Sequence, residues 1–144
     1  MNFILLNQVT ELLQYPIPRY DYAVGMSFGD GKWYWLLDCP QGYHQILVAE
    51  DSRDKLAFAG PNATVWRFRV MPFGPVNGPP IFIRFMHDMN YDWQTLAIEN
   101  EVPINDDNNT KMVVDEILSH ATTVDIVLDY MECHSRYVPC RGCH

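Results

Sequence analysis

Trp35-Leu-Leu-Asp38-Cys-Pro-Gln-Gly-Tyr43-His-Gln-Ile-Leu-Val48 is the stretch on which the reading of this chain turns. It runs an apolar strand into a single carboxylate, breaks at Pro40 and Gly42, and resumes with an aromatic and a second apolar run. An acid at the end of a buried strand is costly unless a cation meets it there. Two explanations compete: Asp38 hydrogen-bonds the turn that follows, or it is a metal ligand. The surrounding sequence decides between them.

On the N-terminal side, Lys32 to Asp38 reads as a strand that is apolar on both faces, the pattern of a central strand. Before it, Arg19 to Phe28 reads as a short helix stopped at Gly29-Asp-Gly31, and Tyr15-Pro-Ile-Pro18 is extended. Residues 1–15 are short and mixed, with Thr10 and Glu11 as a cap for a brief turn. On the C-terminal side, Gln45 to Ala49, Leu56 to Ala59 and Val65 to Val70 are strand candidates. They are separated by turns at Asp51-Ser-Arg-Asp54 and Gly60-Pro-Asn62. Met71-Pro-Phe-Gly-Pro-Val-Asn-Gly-Pro-Pro80 is a stiff loop that ends in a helix start, where proline is tolerated.

The helix from Ile81 to about Ile98 aligns Ile81, Phe85, Met89 and Trp93 in one apolar stripe. An acidic, Asn-rich loop follows. Lys111-Met-Val-Val-Asp-Glu-Ile-Leu-Ser119 then has the pattern of a tight hairpin with its acids at the tip. Thr122 or Thr123 caps a last helix through Arg136, with Val124, Val127, Leu128 and Met131 predicted to face inward. Strands flanking amphipathic helices without regular βαβ alternation make the fold class α+β.

At 144 residues, 48% hydrophobic and 13% aromatic, the chain can bury a core. A formal charge of −8 opposes nonspecific binding to nucleic acid, which rests on neutralising phosphates. Met1 to Leu6 has no basic region and too short an apolar run for a signal peptide, and no stretch is apolar enough for a membrane span. We therefore expect an intracellular protein with no membrane partner, its four cysteines present as thiols. The sequons at Asn62 and Asn108 read as chance.

Several blocks, in order, resemble one family: the reverse transcriptase, or RNA-directed DNA polymerase, of gypsy-type LTR retrotransposons. Leu6-Asn-Gln-Val-Thr10 is similar to the end of the fingers motif, and Tyr15-Pro-Ile-Pro-Arg19 to the segment that follows. Leu37-Asp-Cys-Pro-Gln-Gly-Tyr-His-Gln-Ile46 resembles motif A with its catalytic aspartate. Lys55-Leu-Ala-Phe58 resembles the next block, Val70 to Pro79 resembles motif B, and Phe82-Ile-Arg-Phe-Met86 the helix after it. The resemblance implies polymerase palm and fingers, an antiparallel sheet backed by helices, over residues 1–136, with a divergent tail at 137–144. It also implies that the thumb is absent, so that this is a polyprotein fragment with weak or no activity alone. The alternative is a non-catalytic retroelement remnant with a structural or interaction role.

The family's second acid motif sits at a hairpin tip, and two pairs compete for it. Asp106-Asp107 has the familiar spelling, but Pro103, Asn105, Asn108 and Asn109 surround it and no strand can carry it. Asp115-Glu116 has apolar strands on both sides and the longer interval from Asp38, closer to the family's. We assign the motif to Asp115 and Glu116, with Glu116 standing where the family usually has aspartate. By resemblance, Asp38, Asp115, Glu116 and the Cys39 carbonyl hold Mg²⁺ or Mn²⁺ for two-metal nucleotidyl transfer to an RNA/DNA template-primer from dNTP. Tyr43 falls at the family's sugar gate, and Phe73 and Gly74 at positions contacting incoming nucleotide and template.

Left outside this reading is Cys140-Arg-Gly-Cys143-His144, which spells a haem-attachment motif and, with Cys133 and His134, a set of zinc-ligand types. With no export signal, we read it as tail.

Overall fold

The computed structural model describes residues 2–16, 31–99, 101, 110–113 and 116–137. The predicted helix at 19–28, Asp106-Asp107, Asp115 and the Cys140–His144 tail lie outside the described residues.

The chain opens with a short helix, α1 (Ile4–Val9), and continues into strand β1 (Trp33–Asp38). The Thr10 hydroxyl donates to the Leu6 carbonyl at 2.7 Å, so Thr10 closes α1 instead of starting a turn. After β1 come two 3₁₀ turns (Gly42–Gln45 and Glu50–Leu56), strand β2 (Ala57–Ala59), a further turn at Pro61–Ala63 and strand β3 (Val65–Arg67). The long helix α2 (Gly78–Glu99), strands β4 (Thr110–Val113) and β5 (Glu116–Ala121), and helix α3 (Val124–Tyr137) complete the order.

Among the described residues the strands form two antiparallel sheets. One has the order β1-β5-β4; the other is the β2–β3 ribbon. The α+β class holds, and the hairpin of β4 and β5 forms as its apolar flanks require. The central strand, however, is β5. Strand β1 lies at an edge, with Trp33, Tyr34 and Leu36 exposed, which corrects the expectation of a strand buried on both faces. Its alternation explains why: Trp35 and Leu37 are half-buried, whereas Tyr34, Leu36 and Asp38 point to the other side and are exposed.

The core is a cluster of Met71, Phe82, Met86 and Ile117, against which Leu37, Cys39, Tyr43, Ile46, Phe85 and Met89 pack. Helix α2 begins three residues earlier than predicted, because Pro79 and Pro80 fit its first turn and the Ile81 amide already donates to the Asn77 carbonyl at 3.1 Å. The buried stripe runs along Phe82, Met86, Trp93 and Ala97, with Phe85 and Met89 packed at its border and Ile81 exposed. On α3 only Val127 of the four predicted inward positions is buried; Val124, Leu128 and Met131 are exposed.

The predicted strand at Gln45–Ala49 is also corrected. Gln41 adopts a left-handed conformation (φ 54°), and Gly42–Gln45 coils into a 3₁₀ turn. Beyond it a single bridge joins Leu47 to Val70, with the Val48 and Met71 amides donating to the Arg69 and Ile46 carbonyls. The coil brings Tyr43 into the core, and an extended chain would carry it past.

Candidate functional site

Asp38 is the last residue of β1 and Glu116 the first of β5, and the register pairs them directly across the strands. Facing residues in an antiparallel pair have Cα atoms roughly 4.5–5.5 Å apart, so the two carboxylates share one corner of the sheet. Both belong to the side turned away from Ile117 and the helices. Asp38 is exposed and Glu116 half-buried. Like charges placed opposite each other destabilise a ladder. The ion pairs among the described residues, Arg53–Glu50 and Arg67–Asp54, involve neither acid. The corner therefore favours a cation.

What holds the corner is the core beneath it. Leu37 and Cys39, on either side of Asp38, pack into the cluster that contains Ile117, the neighbour of Glu116. The acids are thus flanked by anchored residues while their own side chains stay free to bind. Cys39 is half-buried. Its carbonyl accepts the Gly42 amide at 3.1 Å. No group of three or more His, Cys, Asp or Glu side chains among the described residues is arranged to hold a metal ion. The described part of the acid corner supplies two hard-oxygen ligands, a donor set that suits Mg²⁺ better than a soft metal.

The second part of the site is aromatic. Tyr43 stacks on Phe73 with ring centroids 4.7 Å apart and planes 15° from parallel, and it meets Phe82 at 5.0 Å. His44 approaches the same Phe73 edge-on at 5.4 Å. Phe73 is 63% exposed, so one face of this aromatic group is open to a ligand. Two glycines make the packing possible. A Cβ on Gly42 would stand 2.4 Å from the Phe82 ring, and one on Gly78 would stand 3.2 Å from the Tyr43 ring. Gly74, beside Phe73, has φ +113°, a conformation that other residues adopt only with strain.

The structure thus brings Asp38 to Glu116 and Tyr43 to Phe73 and Gly74, with Cys39 packed beneath. It also shows two residues that the sequence reading passed over, Asn7 and Asn77, whose amides tie the N-terminal segment to the loop after Phe73. An asparagine just ahead of a Pro-Pro helix start was the available signal for Asn77; Asn7 had none. Of the histidines, His87 shares a hydrogen bond of 2.8 Å with the Tyr15 hydroxyl, and His120 is buried beside Gly31 and Tyr34.

Comparison with known proteins bears on the same residues. The family described as reverse transcriptase (RNA-dependent DNA polymerase) matches residues 1–137, almost the whole chain and both halves of the site. The chain belongs to that family. Among its relatives, a retrovirus-related Pol polyprotein from transposon gypsy of Drosophila melanogaster is 35% identical over 62% of this chain and 8% of its own length. A putative enzymatic polyprotein of Cassava vein mosaic virus is 36% identical over 56% of this chain and 12% of its own length. The chain therefore spans about a tenth of the length of these polyproteins. A foamy viral protease-reverse transcriptase, solved in complex with an RNA/DNA hybrid, shares the fold. Its TM-score is 0.70 at 16% identity, covering 94% of this chain and 17% of that one. Among the described residues no helix is long and apolar enough to cross a membrane.

Proposed function

We propose that this reverse transcriptase domain segment carries the nucleotidyl-transfer centre of an RNA-directed DNA polymerase. The observation behind this reading is the pairing of Asp38 with Glu116 on the open side of the sheet. In this reading Asp38, Asp115, Glu116 and the Cys39 carbonyl hold Mg²⁺ or Mn²⁺. Bound there, the ions would supply activation of a primer 3′-hydroxyl and charge stabilisation for the departing pyrophosphate. The remaining work belongs to the chain's own side chains. Asp38 fixes the primer end of the site, because its strand neighbours Leu37 and Cys39 are locked in the core. Glu116, one methylene longer than aspartate, reaches the same corner from β5. Tyr43, held between Phe73 and Phe82, blocks the space of a ribose 2′-hydroxyl and so favours dNTP over rNTP. Phe73 and Gly74 border the incoming nucleotide and the RNA/DNA template-primer. Deoxynucleotide substrates place the activity inside the cell.

The test is primer extension by this chain on an RNA template with Mg²⁺ or Mn²⁺, against Asp38→Asn. Extension that the substitution abolishes supports the reading. No extension at any protein concentration defeats it and leaves a non-catalytic remnant.

A further inference from the structure

Helix α1 is six residues long, too short to persist alone, and none of its residues is buried. Leu5 and Val9 are about four-fifths exposed, and Ile4, Leu12 and Leu13 are exposed as well. Apolar burial therefore does little to seat this N-terminal segment. Its apolar anchor is Phe3, which is buried beside Phe68 and lies 3.0 Å from where a Cβ on Gly74 would stand.

Two asparagine amides do the rest. The Asn7 Nδ2 donates to the Gly74 carbonyl at 2.9 Å, and its Oδ1 accepts the Val76 amide at 2.9 Å. In return, the Asn77 Nδ2 donates to the Glu11 carbonyl at 2.8 Å, and its Oδ1 accepts the Leu13 amide at 3.0 Å. Each side chain thus pairs with backbone groups two residues apart on the other segment, as a peptide group does in a strand ladder. One amide brackets Pro75 and the other Leu12. Asn77 precedes the first residue of α2, where an asparagine commonly caps its own helix; here its carbonyl oxygen Oδ1 receives Leu13 instead. The four bonds join residues 64 to 69 positions apart in sequence.

The segment held in this way is the one that carries Phe73 and Gly74. Phe73 is exposed and rests on Tyr43 by one ring face, and Gly74 has an unusual φ. A loop of that kind keeps one conformation only if something outside it does the fixing. We propose that Asn7 and Asn77 are positioning residues for nucleotide binding: together they lock the Phe73–Asn77 loop, and with it the Phe73–Tyr43 stack, in the geometry that admits the incoming dNTP. The inference rests on the polymerase reading for its ligand and on the four hydrogen bonds for its geometry.

The variants Asn7→Asp and Asn77→Asp keep shape and the accepting oxygen but replace the donor with a second acceptor facing a carbonyl. Primer extension with this chain should show the dNTP KM raised about tenfold in each, the worth of one strong hydrogen bond, with kcat changed far less. The double variant should fall short of the product of the two, because the bonds act on one loop. In parallel, amide hydrogen exchange at Val76 and Leu13 should be slow in the wild type and accelerated in Asn7→Ala and Asn77→Ala respectively, with β5 amides unchanged. A purely structural role predicts loss of folded protein with KM unmoved, and folded variants with unchanged KM overturn the inference. A wild-type chain that extends no primer defeats the polymerase reading. The stitch is then judged on exchange alone: slow Val76 and Leu13 amides released by the alanine variants uphold it, and amides already fast in the wild type overturn it.

Discussion

The two sides of the three-stranded sheet differ in what they bury. Toward the helices, Ile117, Ser119 and Ala121 of β5 are almost fully enclosed, and Ile117 meets Phe82 and Met86. On the opposite side His120 is buried at one end, but toward the acids Tyr34, Leu36 and Asp38 are exposed and Glu116 and Leu118 only half-buried. One strand pair therefore serves two ends. Packing on the closed side fixes the backbone, and the fixed backbone carries two carboxylates on the open side at an electrostatic cost the packing can absorb. A residue's share in stability and its share in the proposed chemistry should consequently separate by side.

The sharpest way to break that comparison is Asp38→Asn. We expect extension to fall by roughly a thousandfold or more, ~4 kcal/mol of barrier. Unfolding free energy in urea should stay within about 0.5 kcal/mol, the usual range for an exposed position. Large destabilisation by this change would show that the open side is structural after all.

On the closed side, Phe82→Ala should cost about 3–5 kcal/mol of unfolding free energy, since the ring is 1% exposed and leaves a cavity at the centre of the cluster. Leu36→Ala, 55% exposed on the open side, should cost well under that, and equal losses in chemical denaturation would erase the distinction. Gly42→Ala pushes a methyl against the Phe82 ring and should cost roughly 1–3 kcal/mol by overpacking. Its effect on extension should come through Tyr43, the next residue. Smallest of all is the surface ion pair of Arg67 with Asp54, 2.8 Å long and exposed at both ends. Arg67→Ala should change the melting free energy by about 0.2–1 kcal/mol.

Much of this arrangement is legible in the residues themselves. The strand ending at Asp38, the stop at Pro40 and Gly42, the Pro/Gly loop running into a helix, and the apolar flanks of Glu116 each follow from local rules. What went astray did so for one reason. Of the apolar stripe predicted on α2, Trp93 is buried and Phe85 and Met89 border the core, but Ile81 is exposed and burial centres on the adjacent Phe82 and Met86. The segment after Tyr43 has the composition of a strand, yet it first coils into a 3₁₀ turn that sets the Tyr43 ring against Phe82 and Phe73. The stripe Val124, Leu128 and Met131 has the correct period for a buried face and lies in the open, while Val127 is buried. Periodicity reports that a helix has a preferred face; it does not report which neighbour is there to cover it.

By itself, then, the sequence determined the α+β class, the order of the family's blocks and most of the elements that carry them, because turns, prolines and alternation act over a few residues. Tertiary structure alone decided that Asp38 stands opposite Glu116, that β1 takes the edge and β5 the centre, and that Tyr43 lies under Phe73. It also decided that Asn7 and Asn77 reach across more than sixty residues to hold one loop. Those outcomes depend on register and on which surfaces meet, and both are settled only when distant segments compete for the same core.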